Sequence, residues 1–248
     1  MTRPVAQATS GPCLVSCVMP AYNEREGIRR AVEHVRQAVE RLTTGFEIIV
    51  VDDGSTDGTG QILEDMADET LRVIRLAENY GYGRALRAGF EAAVHPLVFF
   101  TDSDDQFDPL DLERLLPLAA DAELVVGYRV GRRDGALRSV LSGGYNRLMR
   151  GLLGLDVRDI NCAFKLVRRD VLSSLGLMSD GYTINAEMLA RAHGQGWRLR
   201  EVPVGHRPRL TGRSKVGLSQ IPRSLWQVYG LSHALRTGNG KRALADKT

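Results

Sequence analysis

Residues 97–109, LVFFTDSDDQFDP, decide how the fold is interpreted. The run from Leu97 to Thr101 is almost continuously apolar, which is typical of a strand buried on both faces of a parallel sheet. An acidic cluster follows at once, and Asp108 with Pro109 then begins a helix in the order of an N-cap and a first-turn proline. A buried strand that ends in carboxylates places polar chemistry at the carboxyl edge of an α/β sheet.

The same alternation of strand and helix extends outward from this stretch in both directions. The pattern predicts further strands at residues 14–19, 46–51, 71–76, 124–127, 162–167 and 199–204. It predicts helices after Asn23, which resembles a capping box with Glu26, and at residues 61–67, 82–93, 137–153, 183–195 and 219–235. The predicted fold class is α/β, a Rossmann-like and mostly parallel central sheet flanked by helices in a single domain.

Composition limits the class of protein. Of 248 residues, 43% are hydrophobic and 25% are charged, which excludes disordered, collagen-like and coiled-coil chains. The three cysteines, Cys13, Cys17 and Cys162, lack the spacing of a zinc or redox site and favour a reducing compartment. No stretch reaches the roughly 18 apolar residues of a spanning helix. We expect a cytoplasmic protein, soluble or peripheral at the cytoplasmic face of a membrane.

The net charge of +3 is unevenly distributed. Residues 198–248 contain 11 Lys and Arg against 2 Asp and Glu, so the preceding part of the chain is acidic. A basic tail suits phosphates, an anionic membrane face or nucleic acid, and a solvating tail is the plain alternative. Nucleic acid is not expected as a partner, because no aromatic-interleaved basic face accompanies the charge.

Polar residues follow three of the predicted strands. They are residues 20–24, PAYNE, residues 52–58, DDGSTDG, and residues 102–106, DSDDQ. Ligands of open parallel sheets bind beyond the carboxyl ends of the strands, so these clusters should meet at one edge. Their carboxylates would repel one another unless a cation or ligand donors neutralised them.

The third cluster suggests a divalent cation. Asp102 and Asp104 are one residue apart in a turn, and Gln106 supplies a further oxygen. Oxygen ligands indicate Mg²⁺ or Mn²⁺, and such an ion normally shares its shell with substrate phosphates. An ordinary acidic surface turn is the alternative. Neither a dinucleotide fingerprint nor a Walker A lysine motif is present, and Gly81-Tyr82-Gly83 is predicted to make a tight turn into a helix, with a phosphate at its N-terminus as an extra.

These residues resemble a known family. The segments VMPAYNE, IIVVDDGSTDGT, NYGYGRALRAGF and FFTDSDDQFDP are similar to family 2 glycosyltransferases of GT-A fold. The later segments VVGYR, DINCAFKL, GYTINAEMLARAHGQGWRLREVPV and GRSK resemble the branch of dolichyl-phosphate mannose synthases and polyprenyl-phosphate glycosyltransferases. The resemblance covers about residues 14–216, between an N-terminal tail at 1–13 and an amphipathic helix with a basic tail at 217–248.

The resemblance implies inverting transfer of a mannose- or glucose-class sugar from a GDP- or UDP-linked donor. It places the donor near Pro20, Ala21, Tyr22, Glu24 and Ser103, with Asp53 lining the nucleoside and Asp52 in support. It assigns Asp102, Asp104 and Gln106 to the metal on the diphosphate. It gives Arg129 to the acceptor phosphate, with Arg138, Arg213 and Lys215 as further phosphate contacts.

This chain departs from the pattern of that branch in a few positions. Ser103 and Asp105 replace the commoner Ala and Leu of the metal motif, and Ala163-Phe164-Lys165 stands where many members have Gly-Phe-Arg. None of these changes removes a predicted ligand. Integral members add two C-terminal spanning helices, whereas residues 220–236 are too polar to span, so the tail suits a membrane surface or a small membrane subunit.

The nature of the acceptor stays open at this point. A phosphate acceptor is already an anion and needs arginines but no base, which makes a polyprenyl phosphate the first hypothesis. A hydroxyl of a soluble or natural-product acceptor needs a base, for which Glu187 and Asp159 are candidates. The structural alternatives are that Glu187 bonds a loop backbone or pairs with an arginine, and that Asp159 caps a turn or orients Lys165. A non-catalytic module that binds nucleotide sugars or phospholipids is the third hypothesis.

Overall fold

The structure, a computed structural model, describes residues 12–130 and 150–208, together with Gly144 and Arg147. Its strands are β1 (Leu14–Ala21), β2 (Gly45–Asp52), β3 (Leu71–Arg75), β4 (Leu97–Thr101), β5 (Leu124–Val130), β6 (Phe164–Arg168) and β7 (Leu199–Gly205). Its α-helices are α1 (Ile28–Leu42), α2 (Thr59–Met66), α3 (Tyr82–Ala92), α4 (Leu112–Leu115), α5 (Arg169–Leu175) and α6 (Ile184–Gly194). Short 3₁₀ turns flank α4 at Pro109–Asp111 and Leu116–Ala120.

The seven strands form one mixed sheet in the order β3-β2-β1-β4-β6-β5-β7. Strands β1 to β4 are parallel to one another, and β5 is parallel to β7. Strand β6 runs antiparallel to both β4 and β5. The predicted α/β class with a mostly parallel sheet in a single domain is confirmed, and β6 is the one reversed strand of the described sheet.

The core lies on both faces of this sheet, because side chains alternate along each strand. Val15, Cys17 and Met19 of β1 pack with the apolar face of α1 on one side. Val18 of β1 packs with α3, α5 and α6 residues on the other. Covered on both faces, the sheet leaves its strand ends as the place where polar side chains can gather.

Three details differ from the sequence-based expectations. Asn23 is not the N-cap of α1: it has φ of 50° and its Oδ1 accepts the N–H of Thr56, while the helix begins at Ile28 after Gly27. Helix α5 was not predicted, because seven residues are too few to show a helical period. The predicted helix after Asp108 exists, and Asp108 caps it by accepting the Leu110 N–H, but it is broken into 3₁₀ and α turns.

Some predicted segments fall wholly or partly outside the described residues. They are the N-terminal tail, most of the helix at residues 137–153 and the helix at residues 219–235. Residues 150–153 are helical, as are Gly144 and Arg147. Among the described residues, no helix is long and apolar enough to cross a bilayer.

Candidate active site

The three acidic clusters lie side by side at the carboxyl ends of the parallel strands. Ala21 at the end of β1 pairs with Asp52 at the end of β2, and the Asp53 N–H donates to the Ala21 carbonyl at 2.8 Å. The Ser103 hydroxyl, beyond β4, donates to the Pro20 carbonyl at 2.8 Å. The register of the sheet therefore brings together loops that are about 30 to 80 residues apart in sequence.

The loops after β1 and β2 are cross-linked by polar contacts. The Asn23 N–H donates to Ser55 Oγ at 2.9 Å, and the Glu24 N–H donates to Thr59 Oγ1 at 2.9 Å. Asp57 accepts the Arg25 N–H with one oxygen and the Thr59 N–H with the other. These hydrogen bonds hold Tyr22 and Glu24, two predicted donor contacts, on a rigid support.

Asp52 and Asp53 are both buried and have different partners. Asp52 Oδ1 accepts the Ser55 N–H at 3.0 Å, and its Oδ2 is 3.5 Å from Arg75 Nε. Asp53 accepts the N–H groups of Tyr80 and Gly81, each at 2.9 Å. Burial raises the pKa of Asp53, and the two backbone donors oppose that shift. Both carboxylates thus shape the loops around the predicted nucleoside site.

The metal motif occupies the loop after β4. Burial and the neighbouring Asp104 carboxylate raise the pKa of Asp102 to about 7. Asp104 Oδ1 accepts the Gln106 N–H at 3.2 Å, and Gln106 Nε2 donates to the Arg207 carbonyl at 3.1 Å. Two carboxylates that oppose each other's ionisation are a setting that a divalent cation would stabilise.

The donor set fits a hard cation that also binds substrate oxygens. Among the described residues, no group of three or more His, Cys, Asp or Glu side chains could hold a metal ion. Two carboxylates and one amide oxygen leave most of an octahedral shell to other ligands, and Mg²⁺ or Mn²⁺ sites that use substrate phosphates have this character. Asp102, Asp104 and Gln106 therefore fit a cation shared with a diphosphate.

Reversal of β6 brings a second group of charges to the same edge. Its first residue, Phe164, pairs with Thr101 at the end of β4, so the segment before β6 lies beside the metal loop. Asp159 in that segment accepts Arg129 Nε at 2.7 Å and Nη2 at 2.9 Å. The carboxylate raises the pKa of Arg129 and the guanidinium lowers that of Asp159. Asp159 thus orients the arginine that was predicted to face the acceptor.

The ammonium group of Lys165 is fully buried near Arg129 and Asp159. Its Nζ donates to Asn185 Oδ1 at 2.7 Å and to the carbonyls of Cys162 and Ile160. Burial lowers the pKa of Lys165 to about 8. Its contacts explain why a lysine is tolerated at a position where many members of the resembled branch have arginine.

Glu187, the other candidate base, is fully buried on α6. Its carboxylate accepts the Met178 N–H at 3.1 Å, the Ser179 N–H at 2.8 Å and Arg191 Nε at 2.8 Å. These contacts are those of the structural alternative, in which Glu187 holds a loop and pairs with an arginine. A carboxylate with these partners is poorly placed to take a proton from an acceptor.

The N-terminus of α3 is satisfied by the chain itself. The Asp180 carbonyl accepts the N–H of Gly83 at 2.6 Å and of Arg84 at 3.2 Å. Gly81 has φ of 102°, as the predicted tight turn requires. Tyr82 stacks on Tyr182 with ring centroids 5.0 Å apart, and burial together with the Asp102 carboxylate raises the pKa of its hydroxyl. The suggested extra phosphate at this helix N-terminus would meet a carbonyl oxygen.

One set of contacts was not predicted from the sequence, and three of the predicted site residues lie outside the described residues. Asp105 of the metal motif is bound by Arg30 and His34 of α1. The only sequence signal for this contact was the spacing of the two basic residues by one helical turn. Arg138, Arg213 and Lys215 lie outside the described residues.

Comparison with known proteins identifies the family. The family model "Glycosyl transferase family 2" matches residues 16–176, more than half of the chain. This chain belongs to glycosyl transferase family 2. The membership confirms the expected enzyme class, a glycosyltransferase.

Curated relatives within family 2 are named for polyprenyl-phosphate acceptors. Polyprenol monophosphomannose synthase of Mycolicibacterium smegmatis is 32% identical over 240 residues, covering 90% of this chain and 89% of the relative. Undecaprenyl-phosphate 4-deoxy-4-formamido-L-arabinose transferase of Aeromonas hydrophila is 32% identical over 212 residues and 84% of this chain. The chain spans only 64% of the length of that relative.

Solved structures confirm the GT-A fold of this family 2 chain. Glucosyl-3-phosphoglycerate synthase from Mycobacterium tuberculosis, in complex with Mn²⁺, uridine diphosphate and glucosyl-3-phosphoglycerate, has a TM-score of 0.70 at 23% identity. The match covers 96% of this chain and 86% of that one. A structure of the same enzyme with Mg²⁺ and uridine diphosphate has a TM-score of 0.66. At this identity the likeness concerns the fold alone.

Proposed function

We propose that this protein transfers a sugar, with inversion and with a divalent metal, from a nucleoside diphosphate sugar to a polyprenyl phosphate. The observation that supports it is that both candidate bases, Glu187 and Asp159, are already bound by an arginine. Glu187 is bound to Arg191 and two backbone N–H groups, and Asp159 is bound to Arg129. A hydroxyl acceptor would need one of them as a base, whereas a phosphate acceptor is an anion at neutral pH and needs none.

The donor would bind over the ends of β1 and β2. Main-chain groups near Pro20 and Ala21, with the side chains of Tyr22, Glu24 and Asp53, would line the nucleoside. Asp52 and Ser103 would support the loops that carry these residues. Asp52 accepts the Ser55 N–H, and the Ser103 hydroxyl donates to the Pro20 carbonyl. Loops cross-linked in this way bind with little further loss of conformational entropy.

Asp102, Asp104 and Gln106 would hold Mg²⁺ or Mn²⁺ on the diphosphate. When bound, the cation would supply positive charge to the departing diphosphate. Ser103 Oγ donates to the Pro20 carbonyl and so ties this loop to the donor side of the site. The two carboxylates would therefore hold the cation in a fixed position relative to the donor.

The acceptor would approach on the side of Arg129. In an inverting step an acceptor phosphate oxygen bonds to the anomeric carbon while the bond from that carbon to the diphosphate oxygen breaks. Arg129 would orient the acceptor phosphate, and Asp159 holds its guanidinium through Nε and Nη2. Arg138, Arg213 and Lys215 are proposed as further phosphate contacts.

The relatives support this acceptor class. Polyprenol monophosphomannose synthase of M. smegmatis is matched over most of both chains, and its name states a polyprenyl acceptor. GDP-mannose and UDP-glucose represent the two nucleotides and the two sugar classes that the resemblance implies, and they are the donors to test first.

The test is nucleotide release from GDP-mannose and UDP-glucose with Mn²⁺ or Mg²⁺, with and without a short polyprenyl phosphate. Release that depends on the lipid in the wild type, and that falls at least about 100-fold in Asp104→Ala, would support the proposal. Asp156→Ala, at an exposed aspartate of the segment before β6, is the control and should behave as wild type. Equal release with and without the lipid would refute the polyprenyl acceptor and favour a hydroxyl acceptor.

A further inference from the structure

Asp105 stands between two predicted metal ligands in an unusual backbone conformation. Its φ is 59°, one of two positive values among the described non-glycine residues, the other being that of Asn23. Its side chain is only 6% exposed. A carboxylate in the left-handed region is tolerated but is less favourable than glycine, so other contacts must hold it there.

Two residues of α1 provide those contacts. Arg30 Nε donates to Asp105 Oδ2 at 2.8 Å, and His34 Nδ1 lies 2.8 Å from Asp105 Oδ1. Arg30 and His34 are four residues apart and therefore neighbours on one side of the helix. Each carboxylate oxygen thus has its own partner, and we call these three residues the brace.

The brace is one of several attachments of the metal loop to its surroundings. Ser103 is tied to β1 through the Pro20 carbonyl, Asp105 is tied to α1, and the residue that follows Gln106, Phe107, is bridged to His206. Asp102, Asp104 and Gln106 occupy the positions between and beside them. Gln106 is attached as well, since its Nε2 donates to the Arg207 carbonyl at 3.1 Å and its main-chain carbonyl accepts the Arg207 N–H at 2.7 Å, while its side-chain oxygen is the predicted ligand.

We propose that Asp105 is a positioning residue, which Arg30 and His34 hold in the left-handed conformation so that Asp104 and Gln106 present their oxygens to one cation. This rests on the proposed metal-dependent function. The brace would set the affinity of the site for the metal.

Asp105 needs these partners because the backbone of an aspartate does not by itself favour the left-handed conformation. Without its partners, a buried carboxylate would lose its compensating charge and move toward water, because an unpaired charge is poorly tolerated there. A change in φ at residue 105 rotates the chain on both sides, and the two adjacent ligands would separate. Loss of an outer-shell partner typically weakens metal binding by about 10- to 100-fold.

The experiment measures Mn²⁺ binding by calorimetry in the presence of GDP or UDP. The variants are Arg30→Gln, Asp105→Asn and the double variant, and Arg29→Gln is the matched control, since Arg29 is exposed on the same helix. Thermal unfolding of each variant is recorded in parallel. We expect the Kd for Mn²⁺ to rise about tenfold or more in both single variants, without further increase in the double variant.

Steady-state kinetics separate positioning from plain destabilisation. We expect the apparent KM for Mn²⁺ to rise while kcat at saturating Mn²⁺ stays within about threefold of wild type. A lower melting temperature with an unchanged Kd for Mn²⁺ would overturn the inference and leave the brace a purely structural contact. Wild type that binds no Mn²⁺ at all would instead refute the metal dependence in the proposed function. Wild type that binds Mn²⁺ but ignores the lipid would refute the acceptor alone.

Discussion

At the residue scale, carboxylates of the same type have different roles because their partners differ. Asp102 and Asp104 are near one another, and burial with Asp104 raises the pKa of Asp102 to about 7. Glu187 and Asp159 are each bound by an arginine at 2.8 and 2.7 Å. Asp102 and Asp104 are therefore suited to bind a cation together, whereas the charges of Glu187 and Asp159 are already balanced by arginines of the protein.

Replacing Glu187 tests whether it is a base or a structural residue. In Glu187→Gln the amide cannot accept every present donor, and Arg191 loses a carboxylate partner that is fully buried. We expect the free energy of unfolding to fall by about 3 kcal/mol, with transfer per folded molecule within about threefold of wild type. Chemical denaturation and active-site-normalised kinetics measure the two effects.

Glu91→Gln is the control for this substitution, because Glu91 is an exposed glutamate on α3. It should leave both the stability and the rate as in the wild type. A loss of transfer of about 100-fold or more in Glu187→Gln, with unchanged stability, would contradict the structural role and restore Glu187 as a base.

The pair of Arg129 and Asp159 predicts a dependence of stability on pH. The guanidinium lowers the pKa of Asp159 in the folded protein, so the stabilisation is complete above the ordinary pKa of aspartate, about 4. It is lost as the pH falls through the lower pKa of the folded state. Asp159→Asn should therefore be about 3 kcal/mol less stable than wild type at neutral pH, and the difference should shrink below about pH 4.

Denaturant titrations of wild type and Asp159→Asn between neutral and acid pH measure this difference. Asp156→Asn is the control, because Asp156 is exposed three residues earlier. A stability difference that stays constant with pH would show that the Asp159 charge is not responsible.

At the scale of elements, α3 and the segment between α5 and α6 are packed backbone to backbone. A Cβ atom on Gly83 would lie 2.3 Å from the Ser179 carbonyl oxygen and 2.8 Å from the Asp180 carbonyl carbon. Glu187 holds the same segment from the opposite side through the Met178 and Ser179 N–H groups. The segment is thus clamped between two helices beside Tyr82 and the metal loop.

Gly83→Ala should disturb this clamp. Because the obstructing atoms belong to the backbone, we expect a loss of about 1 to 3 kcal/mol of stability and weaker donor binding. Gly194→Ala is the matched control: a Cβ atom on Gly194 would have no atom within 4 Å, and alanine in the helix should raise stability by up to about 1 kcal/mol. Thermal melts and nucleotide titrations test both, and a stable, normally binding Gly83→Ala would show that the segment moves freely.

At the scale of the whole molecule, the distribution of charge predicts attachment to membranes. Residues 198–248 have 11 basic and 2 acidic residues, whereas the rest of the chain has more acidic than basic ones. A basic tail is attracted to anionic headgroups with roughly 1 kcal/mol per Lys or Arg near the surface. Such an attraction would bring the chain to a membrane that holds the proposed lipid acceptor.

Cosedimentation with vesicles tests this attachment. The full chain should sediment with vesicles of phosphatidylglycerol and phosphatidylcholine at low ionic strength and be released at about 0.5 M salt, because the attraction is screened. Vesicles of phosphatidylcholine alone are the control and should not bind. Equal binding to both vesicle types, unaffected by salt, would show that apolar contacts rather than the basic tail are responsible.

The sequence by itself determined the fold class, the positions of all seven described strands and the acidic clusters at three strand ends. Those features are local: an apolar run such as Leu97–Thr101 defines a buried strand, and the residues that follow it lie at the carboxyl edge. The helix α5 escaped prediction because its seven residues hold too little periodicity.

Only the tertiary structure decided which charges meet. Arg129 and Asp159 are 30 residues apart and come together because β6 runs antiparallel between β4 and β5, a direction that no local pattern specifies. Asn23 was predicted as a helix cap, but its Oδ1 accepts the Thr56 N–H of the loop after β2, and the helix begins only at Ile28. In the sequence Asp105 was only a departure from the commoner residue of the metal motif, and its contacts with Arg30 and His34 of α1 made it the centre of the brace.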